Sequence, residues 1–214
     1  MKFQLALDVY ETADALAAAA ELADLVHVLE AGTPLVLKEG RYAIEALRRD
    51  FPHHDILADY KIMDAGAEEA HIAFAAGASL VTVCACANTV TIVNAIEQAK
   101  KDGGKVSIDM LEARNFEGRI VELDSLGAEY IQIHTALDMK GAVSPFGDLQ
   151  RAQKLLRHTK CAVAGGIGSD NITDIIKEKP DLIIVGGKIM KARDRRSAML
   201  ELIDLIRKTG GNID

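Results

Sequence analysis

The chain has 214 residues, 49% of them hydrophobic and 27% charged, with a formal net charge of −7. Its length suits one α/β domain over residues 1–214, and its acidity argues against nucleic acid or an anionic membrane as partner. Trp is absent and aromatics make up only 4%, so the core must be Ala, Val, Ile and Leu.

Short apolar runs alternate with longer amphipathic segments. Phe3 to Asp8 predicts a strand, and Thr12 to Ala23 an Ala-rich helix. Leu25 to Glu30 is a second strand, followed by a helix over Gly40 to Asp50 that Phe51-Pro52 closes. Strand three covers Asp55 to Lys61, with a helix from Ala67 to Ala76. Strand four covers Ser79 to Cys84, with a helix from Thr89 to Lys101. Lys105 to Leu111, Glu129 to His134, Lys160 to Ala164 and Asp181 to Val185 complete the strands. Helices over Phe116 to Leu126, Asp148 to His158, Asp170 to Lys177 and Arg195 to Lys208 lie between and after them. Such alternation implies a parallel sheet with right-handed crossovers. A single (β/α)8 TIM barrel is expected, rather than an open doubly wound sheet, because of where the polar residues fall.

No apolar run approaches the roughly 20 residues of a membrane helix. The sequence enters its first strand with no leader, so a cytoplasmic protein is expected. Cys84, Cys86 and Cys161 read as buried, inert thiols.

The C-terminal ends of the strands are polar. Asp8, Glu30, Asp59, Lys61, Asp109 and His134 each follow an apolar run. In a barrel those ends converge on one mouth. Side chains two apart on a strand face the same way, so Asp59 and Lys61 should be neighbours. Buried charges need partners, and a metal would absorb the excess negative charge. Glu30, Asp59 and Asp109 are hard oxygen ligands, suited to Mg²⁺ or Mn²⁺ rather than Zn²⁺. His134 is the histidine placed for proton transfer. His27 lies in strand two off the Glu30 face, and the other four read as structural or solvated. Strands seven and eight end in Gly165-Gly166 and Gly186-Gly187, which suit a phosphate held by backbone N–H groups. Lys188 either adds a contact to that phosphate or is simply solvated. Ser169 or Asp170 is placed to cap the helix that follows.

With these residues in place, the chain resembles the 3-hexulose-6-phosphate synthase family of the orotidine-monophosphate decarboxylase suprafamily. The resemblance rests on Leu5-Ala6-Leu7-Asp8, Glu30-Ala31-Gly32-Thr33-Pro34, Asp59-Tyr60-Lys61-Ile62-Met63-Asp64, Asp109-Met110, His134-Thr135, Ala164-Gly165-Gly166-Ile167 and Val185-Gly186-Gly187. The D-x-K-x-x-D element marks the suprafamily. The flanking motifs mark its metal-dependent branch, shared with 3-keto-L-gulonate-6-phosphate decarboxylase. The resemblance implies Mg²⁺-dependent addition of formaldehyde to D-ribulose 5-phosphate through an enediolate. It gives Glu30 and Asp59 the metal, His134 the C1 proton, and Asp8, Lys61 and Asp109 the orientation of the sugar oxygens. It also implies a homodimer in which Asp64 reaches into the partner's site; alternatively, Asp64 caps the helix near Ala67 in its own chain. The decarboxylase has an arginine three residues beyond its counterpart of His134, where this chain has Leu137, which favours the synthase. Lys188 leans toward the decarboxylase, which carries an arginine there. A third reading is a sugar-phosphate-binding barrel without catalysis.

Overall fold

The computed structural model describes residues 1–136, 138 and 145–213. Eight parallel strands close into a barrel in sequence order, with each strand hydrogen-bonded to the next and β8 to β1. They are β1 (Lys2–Leu7), β2 (Val28–Ala31), β3 (Asp55–Ile62), β4 (Leu80–Cys84), β5 (Lys105–Asp109), β6 (Tyr130–His134), β7 (Lys160–Ala164) and β8 (Leu182–Val185). The outer layer is α1 (Thr12–Leu22), α2 (Thr33–Glu39), α3 (Arg41–Asp50), α4 (Gly66–Ala75), α5 (Thr89–Asp102), α6 (Phe116–Leu123), α7 (Phe146–Leu155), α8 (Ile172–Ile175), α9 (Gly187–Met190) and α10 (Arg195–Lys208).

Two apolar clusters follow from strand alternation. Phe3, Leu5, Leu7, Leu29, Ile56, Val81, Ile108 and Ile133 face outward and pack under the helices. Ala6, Val28, Leu57, Leu80, Tyr130, Ala162, Leu182 and Ile184 fill the barrel interior. Polar residues join this interior, with Glu30, Asp59, Thr82, Asp109 and Gln132 near the C-terminal ends of β2 to β6 and Gln4 and Ser107 deeper, all of them buried. The inward positions nearest the C-terminal ends of the strands therefore hold the chemistry.

Several boundaries differ from those read in the sequence. Leu25 ends a 3-10 turn (Ala23–Leu25), and β2 starts only at Val28. His27 thus precedes the strand, where its Nδ1 accepts the Phe3 N–H at 3.0 Å. Helix α2 was not anticipated; Thr33-Pro34 opens it, with Pro in the first turn where its missing N–H costs nothing. α9 is a single turn, too short for periodicity to reveal. The helix expected over Asp170 to Lys177 is α8 followed by a 3-10 turn (Ile176–Glu178). Its N-cap is Asn171, whose Oδ1 accepts the Gly168 N–H at 2.9 Å. Cys84 and Cys161 are buried, and desolvation pushes both thiols up to about 12. Cys86 is exposed, contrary to expectation, because β4 ends two residues before it.

Candidate active site

Strand β3 carries the centre of the site. Its pairing with β4 runs Ala58 to Val81 and resumes Ile62 to Val83. Asp59, Tyr60 and Lys61 therefore face a single residue, Thr82. The bulge lifts Lys61 into the left-handed region at φ +48°. Its Nζ turns back onto Asp59 Oδ2, and it also donates to Thr33 Oγ1 at 2.9 Å. The expected proximity of Asp59 and Lys61 is present, though a bulge produces it rather than regular alternation.

Asp59 is held on both oxygens. Thr82 donates to Oδ1 at 2.8 Å and Thr33 to Oδ2 at 2.5 Å. Burial alone would raise its carboxyl, but Lys61, Thr33 and Thr82 outweigh that and hold it below the usual range. For Lys61, burial works downward, yet the Asp59, Asp109 and Glu30 carboxylates keep its ammonium above its ordinary value. Lys61 is therefore a fixed cation at neutral pH, not a base.

Asp109 ends β5 with no exposed surface. Its Oδ1 accepts the Leu111 N–H at 3.0 Å. Its Oδ2 lies 2.9 Å from His134 Nδ1 and 3.9 Å from Lys61 Nζ. One carboxylate thus joins the lysine of β3 to the histidine of β6. A carboxylate only accepts, so Nδ1 carries the proton and Nε2 is the nitrogen presented for proton exchange.

Glu30 lies inward on β2 and receives Gln4 Nε2 at 2.7 Å. Burial, then the charges of Asp59 and Asp8, push its carboxyl well above the usual range. Gln4 Oε1 is buried without a partner among the described residues. Asp59 and Asp8 thus disfavour the ionised form of Glu30 in this corner. Asp8 stands just beyond β1, exposed, against Gly32 and Gly186; a side chain at Gly32 would collide with its Oδ1. Among the described residues, no three His, Cys, Asp or Glu side chains form a ready coordination shell.

The glycine pairs lie at the ends of β7 and β8. Gly165 and Gly166 have φ of +101° and +65°, and a Cβ on Gly165 would sit 2.5 Å from Thr135 O. A Cβ on Gly166 would meet nothing within 4 Å, so its backbone faces open space. Gly187 opens α9, and Lys188 pairs with Asp170 across the two loops. Asp170 therefore holds Lys188 instead of capping α8. Asp64 is exposed in the loop before α4, joined to none of these groups by a hydrogen bond or ion pair among the described residues. It does not cap α4 either, since the N-cap is Ala65 and has no side-chain bond. Leu137 lies outside the described residues. Gln4, Thr33 and Thr82 were not anticipated; for Gln4 and Thr82 the signal was a polar residue at an inward position of an apolar run, whereas Thr33 opens α2 and carries no such signal.

A family model described as orotidine 5'-phosphate decarboxylase / HUMPS family matches residues 1–202. The chain is 38% identical over 207 residues to a 3-hexulose-6-phosphate synthase of Bacillus subtilis, covering 96% of this chain and 99% of that one. It is 40% identical over 195 residues to one of Staphylococcus epidermidis, covering 91% and 93%. A crystal structure of the Salmonella typhimurium 3-hexulose-6-phosphate synthase superposes with a TM-score of 0.94 at 36% identity, covering 98% of this chain and 100% of that one. The chain belongs to the orotidine 5'-phosphate decarboxylase / HUMPS family.

Proposed function

We propose that this chain is an aldehyde-lyase that adds formaldehyde to D-ribulose 5-phosphate, giving D-arabino-3-hexulose 6-phosphate. It would act in the cytoplasm with Mg²⁺, or Mn²⁺, as a homodimer. The observation that carries this reading is the chain of contacts Asp59–Lys61–Asp109–His134 across β3, β5 and β6. It sets a fixed cation and a proton-exchanging imidazole around one buried carboxylate.

The metal fits the donors. Glu30 and Asp59 are buried carboxylates near enough for the charge of Asp59 to raise Glu30, and Gln4 Oε1 alongside has no partner among the described residues. Two carboxylates suit a hard cation, which Glu30 and Asp59 would hold. Such a cation, when bound, supplies Lewis-acid stabilisation to the substrate oxygens as enediolate charge develops. His134 Nε2 removes the C1 proton, and Asp109 holds the imidazole in the tautomer this needs. Lys61 stands by as a cation to orient the substrate oxygens, and Asp8 supplies an acceptor at the rim. The C1 carbon then bonds to formaldehyde, and His134 returns its proton to the formaldehyde oxygen. Gly165, Gly166, Gly186 and Gly187 would hold the phosphate through main-chain N–H groups, with Lys188 released from Asp170. That remote contact positions the reacting end.

The dimer reading draws on Asp64, exposed and with no capping role, and on Met63, Ile72 and Val90, which are large, apolar and exposed. A second copy covering them would place Asp64, the neighbour of Met63, in the interface, where it could be lent to the partner's site.

Purified protein should consume formaldehyde only with ribulose 5-phosphate and a divalent cation present. Lys188 favours a second reading, decarboxylation of 3-keto-L-gulonate 6-phosphate. Carbon dioxide release without formaldehyde consumption would establish that reading and sink the first.

A further inference from the structure

We propose that Thr82 is a positioning residue that fixes both ends of the Asp59–Lys61 pair. The inference rests on the reading of that pair as part of the catalytic mouth. Thr82 is fully buried on β4 and faces inward. Its hydroxyl makes two bonds of opposite sense. It donates to Asp59 Oδ1 at 2.8 Å and accepts the Lys61 main-chain N–H at 2.9 Å. A hydroxyl has one proton to give and lone pairs to receive, so one atom satisfies both demands.

The place matters as much as the bonds. Three residues of β3 sit opposite Thr82 alone, so the regular ladder cannot pair the Lys61 N–H with a β4 carbonyl there. Lys61 also adopts φ +48°, a conformation disfavoured for a residue with a Cβ. Strain of this kind persists only where the surroundings over-determine it. Cys84 Sγ holds the Lys61 carbonyl at 3.4 Å, and the Thr82 hydroxyl holds its N–H: it replaces the missing carbonyl and, through the same atom, ties the lysine backbone to the Asp59 carboxylate. The left-handed turn is what returns Lys61 Nζ to Asp59 and within 3.9 Å of Asp109 Oδ2. Thr82 is thus the gauge of the lysine's reach, although it need not touch substrate.

The experiment compares Thr82→Val, which keeps the shape and deletes the hydroxyl, with Thr82→Ser, which keeps the hydroxyl. Hydrogen exchange of the Lys61 amide, followed with ¹⁵N-lysine, reads the bond without turnover. Exchange should be at least about tenfold faster in Thr82→Val and close to wild type in Thr82→Ser, which retains the acceptor. Turnover with formaldehyde and ribulose 5-phosphate should fall about 10- to 100-fold in Thr82→Val, the usual cost of losing an outer-shell partner. Serine should restore it to within about threefold. If Thr82→Val does not fold, Thr82→Ala against Thr82→Ser makes the same comparison. Unchanged Lys61 protection without the hydroxyl, or equal loss of turnover in the serine and hydroxyl-free variants, would overturn the proposal. If the wild-type protein shows no such turnover, the proposed function fails, while the exchange measurement still decides whether Thr82 holds Lys61.

Discussion

Replacing Asp109 by Asn removes one charge from the centre of the site and changes little else in shape. The Asn Oδ1 can still accept the Leu111 N–H that anchors the native side chain at 3.0 Å. That orientation points its NH₂ at His134 Nδ1, where a carboxylate oxygen stands at 2.9 Å. The imidazole must then accept at Nδ1 and carry its proton on Nε2, the wrong tautomer for taking a proton from C1. The Lys61 ammonium also loses a charge 3.9 Å away, worth about 4 kcal/mol at an effective dielectric near 20. Asp59 still neutralises Lys61, so only part of that is felt. The tautomer effect dominates; the same exchange in a serine-protease triad costs about 10⁴-fold. We expect kcat to fall about 10²- to 10⁴-fold, or about 3 to 5 kcal/mol of barrier. Binding of ribulose 5-phosphate should change only a few-fold. The assay is steady-state formaldehyde consumption, with ribulose 5-phosphate affinity measured separately. A kcat within about threefold of wild type, with the loss confined to KM, would refute the relay and reduce Asp109 to a binding group.

Three further outcomes follow. The Glu30 carboxyl is raised in the fold, so over that window the folded state binds more protons than the unfolded. In EDTA, stability should therefore be lost as pH rises through the raised value. At a fixed concentration about 100 times its Kd measured above the raised value, Mg²⁺ should add about 2.7 kcal/mol there and less at a pH below it. Calorimetry showing the same gain at both pH values would remove Glu30 from the cation site. Mixing Asp64→Ala with Lys61→Ala subunits should recover a fraction of active sites; mixed dimers with no recovery would argue against sharing. On the opposite face, Asp124 accepts main-chain N–H bonds from Arg157, His158 and Thr159 at 2.9 to 3.1 Å. Asp124→Ala should cost about 3 kcal/mol by stranding those donors, and lower Tm by about 6 to 12 °C with kcat unchanged. A normal Tm would show that water replaces the carboxylate.

The barrel was legible because its strands are apolar, regularly spaced and separated by helices with clear stops. The acids at the mouth were legible for the same reason, since Asp8, Glu30, Asp59 and Asp109 interrupt apolar runs at one end. What sequence could not give was the path of the chain at Lys61. Alternation placed it beside Asp59, but the bulge against Thr82 depends on pairing with β4, a non-local property. Thr82 itself passes for a β-branched strand former. Gln4 hides in the same way, one polar side chain inside Phe3 to Leu7, until the barrel closes and brings it to Glu30. α2 and α9 escaped because two turns or fewer carry too little periodicity. Cys86 departs from the usual burial of a free thiol because it lies beyond the end of β4, where no strand or helix covers it.

The central claim is that His134, held by Asp109, takes the C1 proton of a pentulose phosphate. Incubating the protein with ribulose 5-phosphate and Mg²⁺ in deuterium oxide, without formaldehyde, tests it directly by mass spectrometry or proton NMR. One deuterium is expected at C1 with wild type and none with His134→Ala, which should still bind the sugar phosphate. No deuterium from a wild-type protein that consumes formaldehyde, or undiminished exchange in His134→Ala, would contradict it.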